Sequence, residues 1–281
     1  MYRVTKKRIV PSGRGFSDLH WHEELQFTLV TRGEMTMQVD GVGYDLKAGE
    51  AIFINRNFLH EATRLEHDGE YVSFNFPERL LFFFPGSLME QQDVLPYTGG
   101  YAFSAIVLGD TEPWQREIRA RLQQLEMLCT QRQEGRAESA NHLEYRISLE
   151  IAGIWYLMLG HFPGDSYTPS RIAIRRQERI QKMITFIRDN YMKHVELADI
   201  AASANVSIGE CCRCFQKMVR ATPNQYLMRW RIDRAMELLD RTEETITDIG
   251  MRVGFSDASY FIRCFRKRTG MTPKEYRDKN C

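Results

Sequence analysis

The sequence RCFQK at Arg213–Lys217 recurs as RCFRK at Arg263–Lys267, fifty residues further along the chain. A Thr-Pro pair follows each copy, at Thr222 and at Thr272, again with an offset of fifty. Upstream of each copy an Asp-Ile pair repeats with an offset of 49. A structural unit of about fifty residues is therefore present twice, with one inserted residue in the second copy.

The first copy has the sequence pattern of a helix-turn-helix. Leu197–Ala204 predicts a short helix, and Asn205 and the residue after it supply the turn. Ser207 is a good N-cap for a second helix, because its hydroxyl can accept a hydrogen bond from a free backbone N–H. Glu210, three residues later, predicts a capping box with it.

The second copy repeats this pattern. Ile246–Val253 predicts the short helix, Gly254 lies in the turn, and Ser256 is predicted to be the N-cap of the following helix. Two helix-turn-helix units in tandem are therefore expected in the C-terminal part of the chain.

The second helix of each unit has one apolar face and one outer face. At helical spacing Phe215 and Phe265 point inward, whereas Arg213 and Arg263 point outward together with small residues. Such a helix can enter a major groove of DNA, while a generic bundle with solvated arginines is the alternative. The residues predicted to contact DNA are Ser207, Gly209, Cys212, Arg213, Gln216 and Lys217 in the first unit, and Ser256, Ala258, Ser259, Arg263 and Lys267 in the second.

The charge of the chain is divided unevenly. Residues 171–281 hold 22 Lys and Arg against 14 Asp and Glu, a net charge of +8, whereas residues 1–170 carry −7. This division suggests that only the basic part meets a polyanion. Two unrelated surfaces would give the same numbers, so the charge alone leaves both interpretations open.

Composition excludes several classes of protein. Hydrophobic residues make up 43% and charged residues 27%, which is typical of a globular chain and excludes a largely disordered one. No stretch without Asp, Glu, Lys or Arg reaches the ~20 residues that a helix needs to cross a bilayer, so no membrane contact is expected. Six cysteines without an export signal predict reduced thiols and a cytoplasmic protein.

The N-terminal part predicts strands, followed by helices. Leu25–Val30, Met35–Val39 and Ala51–Ile54 are β-rich runs separated by glycine turns, which favours a sandwich or barrel. Beyond residue 112 two apolar stripes at helical spacing predict a helical hairpin. The predicted domains are 1–110 for the barrel, 111–162 for the hairpin, 163–174 for a linker and 175–281 for the helix-turn-helix domain. The stripe predicted to form a homodimer consists of Trp114, Ile118, Leu122 and Leu125.

The stretch Val253–Arg277 resembles the signature of the AraC/XylS family of bacterial transcription regulators. The resemblance extends over about 180–279. It implies two helix-turn-helix units joined by a long helix, here Pro223–Asp240, and two recognition helices in adjacent major grooves. Gly250 stands where the family usually has alanine, which keeps a small residue at the helix crossing.

The N-terminal part resembles the cupin-type sensor domain of many such regulators. His20, His22, Gln26 and His60 match the polar positions of the cupin motifs, although metal cupins normally have glutamate where Gln26 stands. The fold class that both resemblances imply is a multidomain chain. An all-β cupin-like barrel with a helical hairpin precedes an all-α domain with tandem helix-turn-helix units.

Three interpretations of the barrel histidines remain at this point. His20, His22, Gln26 and His60 can bind a small organic effector such as a sugar or a carboxylate, and this is the interpretation we favour. Three imidazoles can also bind zinc, iron or nickel, for which the neutral Gln26 amide is a poor fourth ligand. The third alternative is that the histidines are structural. We therefore predict an effector site, no metal and no cofactor.

The functional prediction is a ligand-responsive DNA-binding transcription regulator that is not an enzyme. Its expected partners are double-stranded promoter DNA, a small-molecule effector and a second copy of the chain, with RNA polymerase as a further candidate. A metal-dependent cupin, as an enzyme or a metal sensor, is the alternative. A DNA-repair protein with a nucleophilic cysteine is a third class. It is disfavoured because Cys211, Cys212 and Cys214 have no activating residue beside them.

Overall fold

The computed structural model describes residues 3–8, 19–65, 69–99, 103–133, 142–162 and 171–280. They belong to two compact units, one that ends at Ile174 and one that begins at Arg175. A helix over Arg171–Asn190 begins within the stretch 163–174 that we predicted as a linker. The remainder of that stretch, 163–170, lies outside the described residues. Within the described ranges no helix is both long and apolar enough to cross a membrane.

The strands of the first unit form two antiparallel sheets. Their bounds are β1 Arg3–Arg8, β2 Leu25–Arg32, β3 Glu34–Val39, β4 Val42–Lys47, β5 Ala51–Ile54, β6 His60–Leu65, β7 Glu70–Phe76 and β8 Ala105–Leu108. The order is β1-β7-β2-β5-β8 in one sheet and β4-β3-β6 in the other. The turn between β3 and β4 consists of Asp40 and Gly41, which both have positive φ, as a two-residue hairpin turn requires.

One layer of apolar core lies on each side of the five-stranded sheet. Side chains alternate along β2, so that Phe27 and Leu29 face one side and Gln26 and Thr28 face the other. The side with Phe27 packs against helices α2, Pro113–Gln133, and α3, Leu143–Leu159. The other side packs against the three-stranded sheet through a separate apolar cluster. The predicted strand-rich fold is therefore confirmed.

Short helical segments connect β7 to β8. They are a 3-10 turn at Glu78–Leu80, a π-helical segment at Met89–Val94 and helix α1 at Leu95–Thr98. The indole nitrogen of Trp155 in α3 donates a hydrogen bond of 2.9 Å to the carbonyl oxygen of Asp93, which ties this connection to the hairpin.

The apolar stripe of α2 lies inside the first unit. Ile118, Leu122 and Leu125 have no exposed surface and belong to the core between the hairpin and the sheet. Trp114 is half-buried and stacks on the His161 ring at a centroid distance of 4.3 Å. The predicted dimer surface is therefore corrected, because the helix-facing side of the sheet takes up the side chains that we assigned to a partner subunit.

The described part of the second unit is helical. Its helices are α4 Arg171–Asn190, which lies in this unit from Arg175 onward, α5 Leu197–Ser203, α6 Ile208–Met218, α7 Pro223–Arg241, α8 Ile246–Arg252, α9 Ala258–Thr269 and α10 Pro273–Asn280. The pairs α5–α6 and α8–α9 are the two helix-turn-helix units, and α7 joins them. This confirms the predicted all-α fold with tandem units.

The two recognition helices begin differently. Ser207 caps α6 as predicted, since its hydroxyl accepts a hydrogen bond of 3.2 Å from the backbone N–H of Glu210. Helix α9 is capped by Asp257 instead of Ser256, through a bond of 2.6 Å from the N–H of Tyr260. The predicted Ser256 cap is wrong because the inserted residue lies between the turn and the cap, which moves the helix start by one position.

Candidate DNA-binding surface and sensor site

Helix α6 separates its apolar and polar residues as the sequence predicts. Cys211, Cys214, Phe215 and Met218 are buried against the rest of the second unit. The opposite side carries the residues that we predicted to contact DNA. Ser207, Gly209, Arg213, Gln216 and Lys217 are exposed, and Cys212 is half-buried.

Helix α9 has the same division. Phe261 and Phe265 are fully buried and pack with Tyr276 of α10. The predicted contact residues of this unit lie on the other side. Ser256, Ser259, Arg263 and Lys267 are exposed, and Ala258 is half-buried. Ile262 is also exposed on this helix, at 37%, although it was not among the predicted contact residues.

Two of the three cysteines of α6, Cys211 and Cys214, are unsuited to nucleophilic chemistry. The five described cysteines are free thiols. Burial raises the pKa of Cys211 to about 12, and burial together with the nearby Glu210 carboxylate raises the pKa of Cys214. Because the thiolate is the nucleophile, these two thiols are inert at neutral pH. Cys211 and Cys214 therefore give no support to the DNA-repair interpretation.

The three barrel histidines lie together in the first unit. The ring centroids of His20 and His60 are 4.3 Å apart, those of His22 and His60 are 4.9 Å apart, and those of His20 and His22 are 5.6 Å apart. His20 and His22 belong to an irregular segment that precedes β2. This segment is held to the start of β6 by paired backbone hydrogen bonds between His20 and His60.

Backbone carbonyls orient two of the imidazoles. The Nδ1 of His22 lies 2.9 Å from the carbonyl oxygen of Glu24, and the Nδ1 of His60 lies 2.9 Å from that of Phe58. When each Nδ1–H donates to its carbonyl, each Nε2 becomes an acceptor. A hydrogen bond from the other ring nitrogen to a carbonyl oxygen is typical of metal-binding histidines. His20, His22 and His60 can each offer one imidazole nitrogen as a ligand.

Gln26 lies beside the histidines and extends the polar site. Its Oε1 is 3.0 Å from the Nε2 of His22, and its Nε2 donates a bond of 2.7 Å to the hydroxyl of Thr28. The Thr28 hydroxyl is 3.1 Å from that of Ser73. The amide of Asn75 donates 2.8 Å to the Nε2 of His22 and 3.2 Å to Gln26.

Thr28, Ser73 and Asn75 were missed by the sequence analysis. In the sheet Gln26 lies opposite Asn75, and Thr28 lies opposite Ser73, on the face that points to the three-stranded sheet. The available signal was the period-two placement of polar residues in β2 and in β7. That signal becomes a site only once the pairing of β2 with β7 is known, because the strands are far apart in the chain.

Comparison with known proteins agrees with both parts of the chain. The family described as a helix-turn-helix domain matches residues 200–279, and the family described as a cupin domain matches residues 8–73. The uncharacterized HTH-type transcriptional regulator YdeC of Bacillus subtilis is 28% identical over 95% of this chain and 88% of its own length. The lactose operon transcription activator of Staphylococcus xylosus is 27% identical over 89% of this chain and 82% of its own. The melibiose operon regulatory protein of Escherichia coli is 22% identical over 92% of this chain and 82% of its own length.

The chain is a DNA-binding transcription regulator. It combines an AraC-type helix-turn-helix domain with a cupin domain, and its relatives are AraC-family regulators. The family resemblance stated from the sequence is thereby confirmed.

Proposed function

We propose that this regulator responds to a small polar organic effector, bound in the first unit by His20, His22, Gln26 and His60. The second unit binds promoter DNA, with α6 and α9 in adjacent major grooves. Since promoter DNA is its partner, the compartment we propose is the cytoplasm. The role we propose is activation, which is supported by the Staphylococcus xylosus relative, a lactose operon transcription activator.

The polar cluster at one end of the sandwich carries this proposal. Gln26, Thr28 and Ser73 are buried, and hydrogen bonds link them to His22 and Asn75. Buried apolar side chains from both sheets lie in the same layer. A few convergent polar groups in an apolar setting are typical of a small-molecule site, where a ligand hydroxyl can donate and accept hydrogen bonds and a ligand carboxylate can accept them. The names of two relatives, which refer to lactose and melibiose operons, favour a sugar-like effector.

The test is a thermal-shift screen of the full-length protein against sugars, amino acids and organic acids. A ligand at 100 times its dissociation constant should add about 2.7 kcal/mol to the free energy of unfolding. Thr28→Val should remove the shift, because it deletes a hydroxyl from the polar cluster. Thr36→Val is the matched control, since the Thr36 hydroxyl bonds to the exposed Asp45 on the other sheet. An unchanged shift in Thr28→Val and in Gln26→Ala would place the effector elsewhere.

A metal sensor is the second candidate function. The three imidazoles favour it, because their ligand atoms all lie within 4.8 Å of one another. The Gln26 amide does not fit the carboxylate position of metal cupins, which disfavours it. Metal analysis of the purified full-length protein distinguishes the candidates. The metal sensor would be supported if the wild-type protein contained about one equivalent of zinc, iron or nickel, and if His60→Ala lost both this metal and operator binding.

We further propose that Arg213 and Arg263 read bases, whereas Lys267 contacts phosphate. Their equivalent exposed positions on α6 and α9 support this assignment. Arg213→Ala and Arg263→Ala should each relax base preference in a different part of the operator, by about 1–3 kcal/mol of discrimination. Lys267→Ala should weaken binding to all DNA sequences alike, and it should reduce the salt dependence of the binding affinity by the equivalent of about one phosphate contact. If Arg213→Ala lowered the binding affinity equally for every DNA sequence, the base-reading role of Arg213 would be contradicted.

The homodimer stays part of the proposal, with a different surface. Tyr145, Leu149 and Tyr156 lie along α3 and are 68%, 53% and 75% exposed, so they form an apolar face of α3 that the described residues leave exposed. Leu149→Glu should release folded monomers in sedimentation velocity. Ser148→Glu, at the neighbouring half-buried position, is the control and should leave the dimer intact. A wild-type protein that sediments as a monomer at about 10–100 μM, well above typical dimer dissociation constants, would remove this part of the proposal.

A further inference from the structure

Arg213 is held by an ion pair within α6. Its Nε and Nη2 both donate to the same carboxylate oxygen of Glu210, at 3.1 and 2.8 Å. The Arg213 side chain is 71% exposed, whereas that of Glu210 is 29% exposed. The guanidinium therefore projects from the surface, while the carboxylate that holds it lies at the edge of the fold.

The other carboxylate oxygen of Glu210, Oε1, contacts two further side chains. The thiol of Cys214 donates to Oε1 at 3.7 Å, and Nη1 of Arg179 in α4 lies 3.8 Å from the same atom. The hydrogen bond from Arg213 is the largest cause that lowers the pKa of Glu210, so the carboxylate is ionised at neutral pH. The carboxylate that contacts Arg213 thus also contacts α4, through Arg179.

The geometry leaves one edge of the guanidinium available. Glu210 occupies the edge formed by Nε and Nη2. The other edge, formed by Nη1 and the second hydrogen of Nη2, has the spacing that matches O6 and N7 of guanine. An arginine that is already oriented in this way loses less rotamer freedom when it binds, and its fork cannot easily turn toward another pair of acceptors.

The second unit lacks this arrangement. The offset of fifty places Tyr260 at the position of Glu210, and Cζ of Arg263 lies 5.3 Å from the centre of the Tyr260 ring. A ring contacts the face of a guanidinium and leaves its N–H edges unassigned. Because position 260 holds no carboxylate, the fork of Arg263 can turn toward different acceptors.

We propose that Glu210 is a positioning residue for base recognition, which restricts Arg213 to guanine, and that the Tyr260 contact leaves Arg263 less selective. The two recognition helices would then contribute unequally to specificity, with a strict guanine position under α6 and a tolerant position under α9. This inference rests on the proposed base-reading role of the two arginines.

The experiment measures base preference rather than affinity alone. Full-length wild-type protein selects its site from a randomised double-stranded DNA pool, and binding to duplexes with single base substitutions is then measured by fluorescence anisotropy. Arg213→Ala identifies the base pair that Arg213 reads. At that base pair Glu210→Gln should reduce the preference for guanine by roughly threefold to tenfold, part of the roughly 5- to 150-fold that a bidentate arginine–guanine pair supplies.

Two further variants separate orientation from charge. Glu210→Gln removes a negative charge, so it should also tighten binding to every sequence alike, and only the ratio between bases reports orientation. Glu237→Gln is the matched control, because Glu237 pairs with Arg234 at the same spacing of three residues, 2.9 Å apart, on α7. Tyr260→Glu places a carboxylate three residues before Arg263 and should raise the guanine preference of the second unit by about threefold or more.

The outcomes are distinct. A reduced guanine preference in Glu210→Gln that is absent in Glu237→Gln supports the proposal. The same preference as wild type, with only a uniform change in affinity, overturns it, as does an unchanged second site in folded Tyr260→Glu. If Arg213→Ala itself changes no base preference, the base-reading role under the proposed function fails instead.

Discussion

Gly254 should not tolerate a side chain, because the turn of the second helix-turn-helix unit passes over a buried arginine. Gly254 has φ of +94°, a left-handed conformation that costs an alanine about 1–2 kcal/mol. A Cβ at this position would lie 2.9 Å from both Nε and Nη2 of Arg231 and in overlap with the carbonyl oxygen of Tyr191. Something in this contact must move when Gly254 becomes alanine.

Arg231 is the group that this movement would disturb. It is 7% exposed, and burial lowers its pKa. Its Nε donates to the carbonyl oxygen of Tyr191 and its Nη2 to that of Lys193, each at 2.8 Å, which ties the loop after α4 to α7. Hydrogen bonds to a charged group contribute about 1.5–3 kcal/mol each. Strain and the loss of at least one bond together predict that Gly254→Ala lowers the free energy of unfolding by about 2.5–5 kcal/mol.

The assay is urea unfolding of the full-length protein followed by peptide-resolved hydrogen exchange, which reports each unit separately. Asn205→Ala is the matched control, because Asn205 is at the same place in the first unit, has φ of +53° and is exposed. It should cost only about 1 kcal/mol of backbone strain. If Gly254→Ala unfolds the second unit no more easily than Asn205→Ala does, the steric argument and the importance of the Arg231 contacts are refuted.

Three further outcomes follow from burial and capping. Leu122→Ala should cost the first unit about 2–5 kcal/mol in denaturant unfolding, because it opens a cavity in a fully buried position, and a cost near zero would mean that the stripe faces a partner after all. Asp257→Ala should cost about 1 kcal/mol and Ser256→Ala less than about 0.5 kcal/mol in the same measurement, and the reverse order would restore the Ser256 cap. Iodoacetamide at neutral pH should alkylate Cys212, with protection by duplex DNA. Cys211, whose pKa burial raises to about 12, should stay unmodified in peptide mass spectrometry, and no DNA protection of Cys212 would argue against its place at the interface.

Several features of this protein were determined by the sequence itself because they depend on local patterns. The repeated stretch around Arg213 and Arg263 predicts both helix-turn-helix units, since helical periodicity separates the buried Phe215 and Phe265 from the exposed arginines. The hairpin turn between β3 and β4 is likewise local, because the dipeptide Asp40-Gly41 readily adopts the positive φ angles that a two-residue turn requires. Periodicity and turn chemistry act over a few residues, so they can be deduced before any tertiary contact is known.

Other features were decided by tertiary structure. Whether Leu122 faces the sheet or a second subunit depends on what covers α2, and an apolar stripe is the same in both cases. Asn75 joins Gln26 only because β7 pairs with β2 in one register, which no pattern within either strand specifies. The ion pair of Glu210 with Arg179 likewise requires α4 to pack beside α6. These contacts join residues distant in the chain, and their partners are chosen by the packing of whole elements rather than by neighbouring residues.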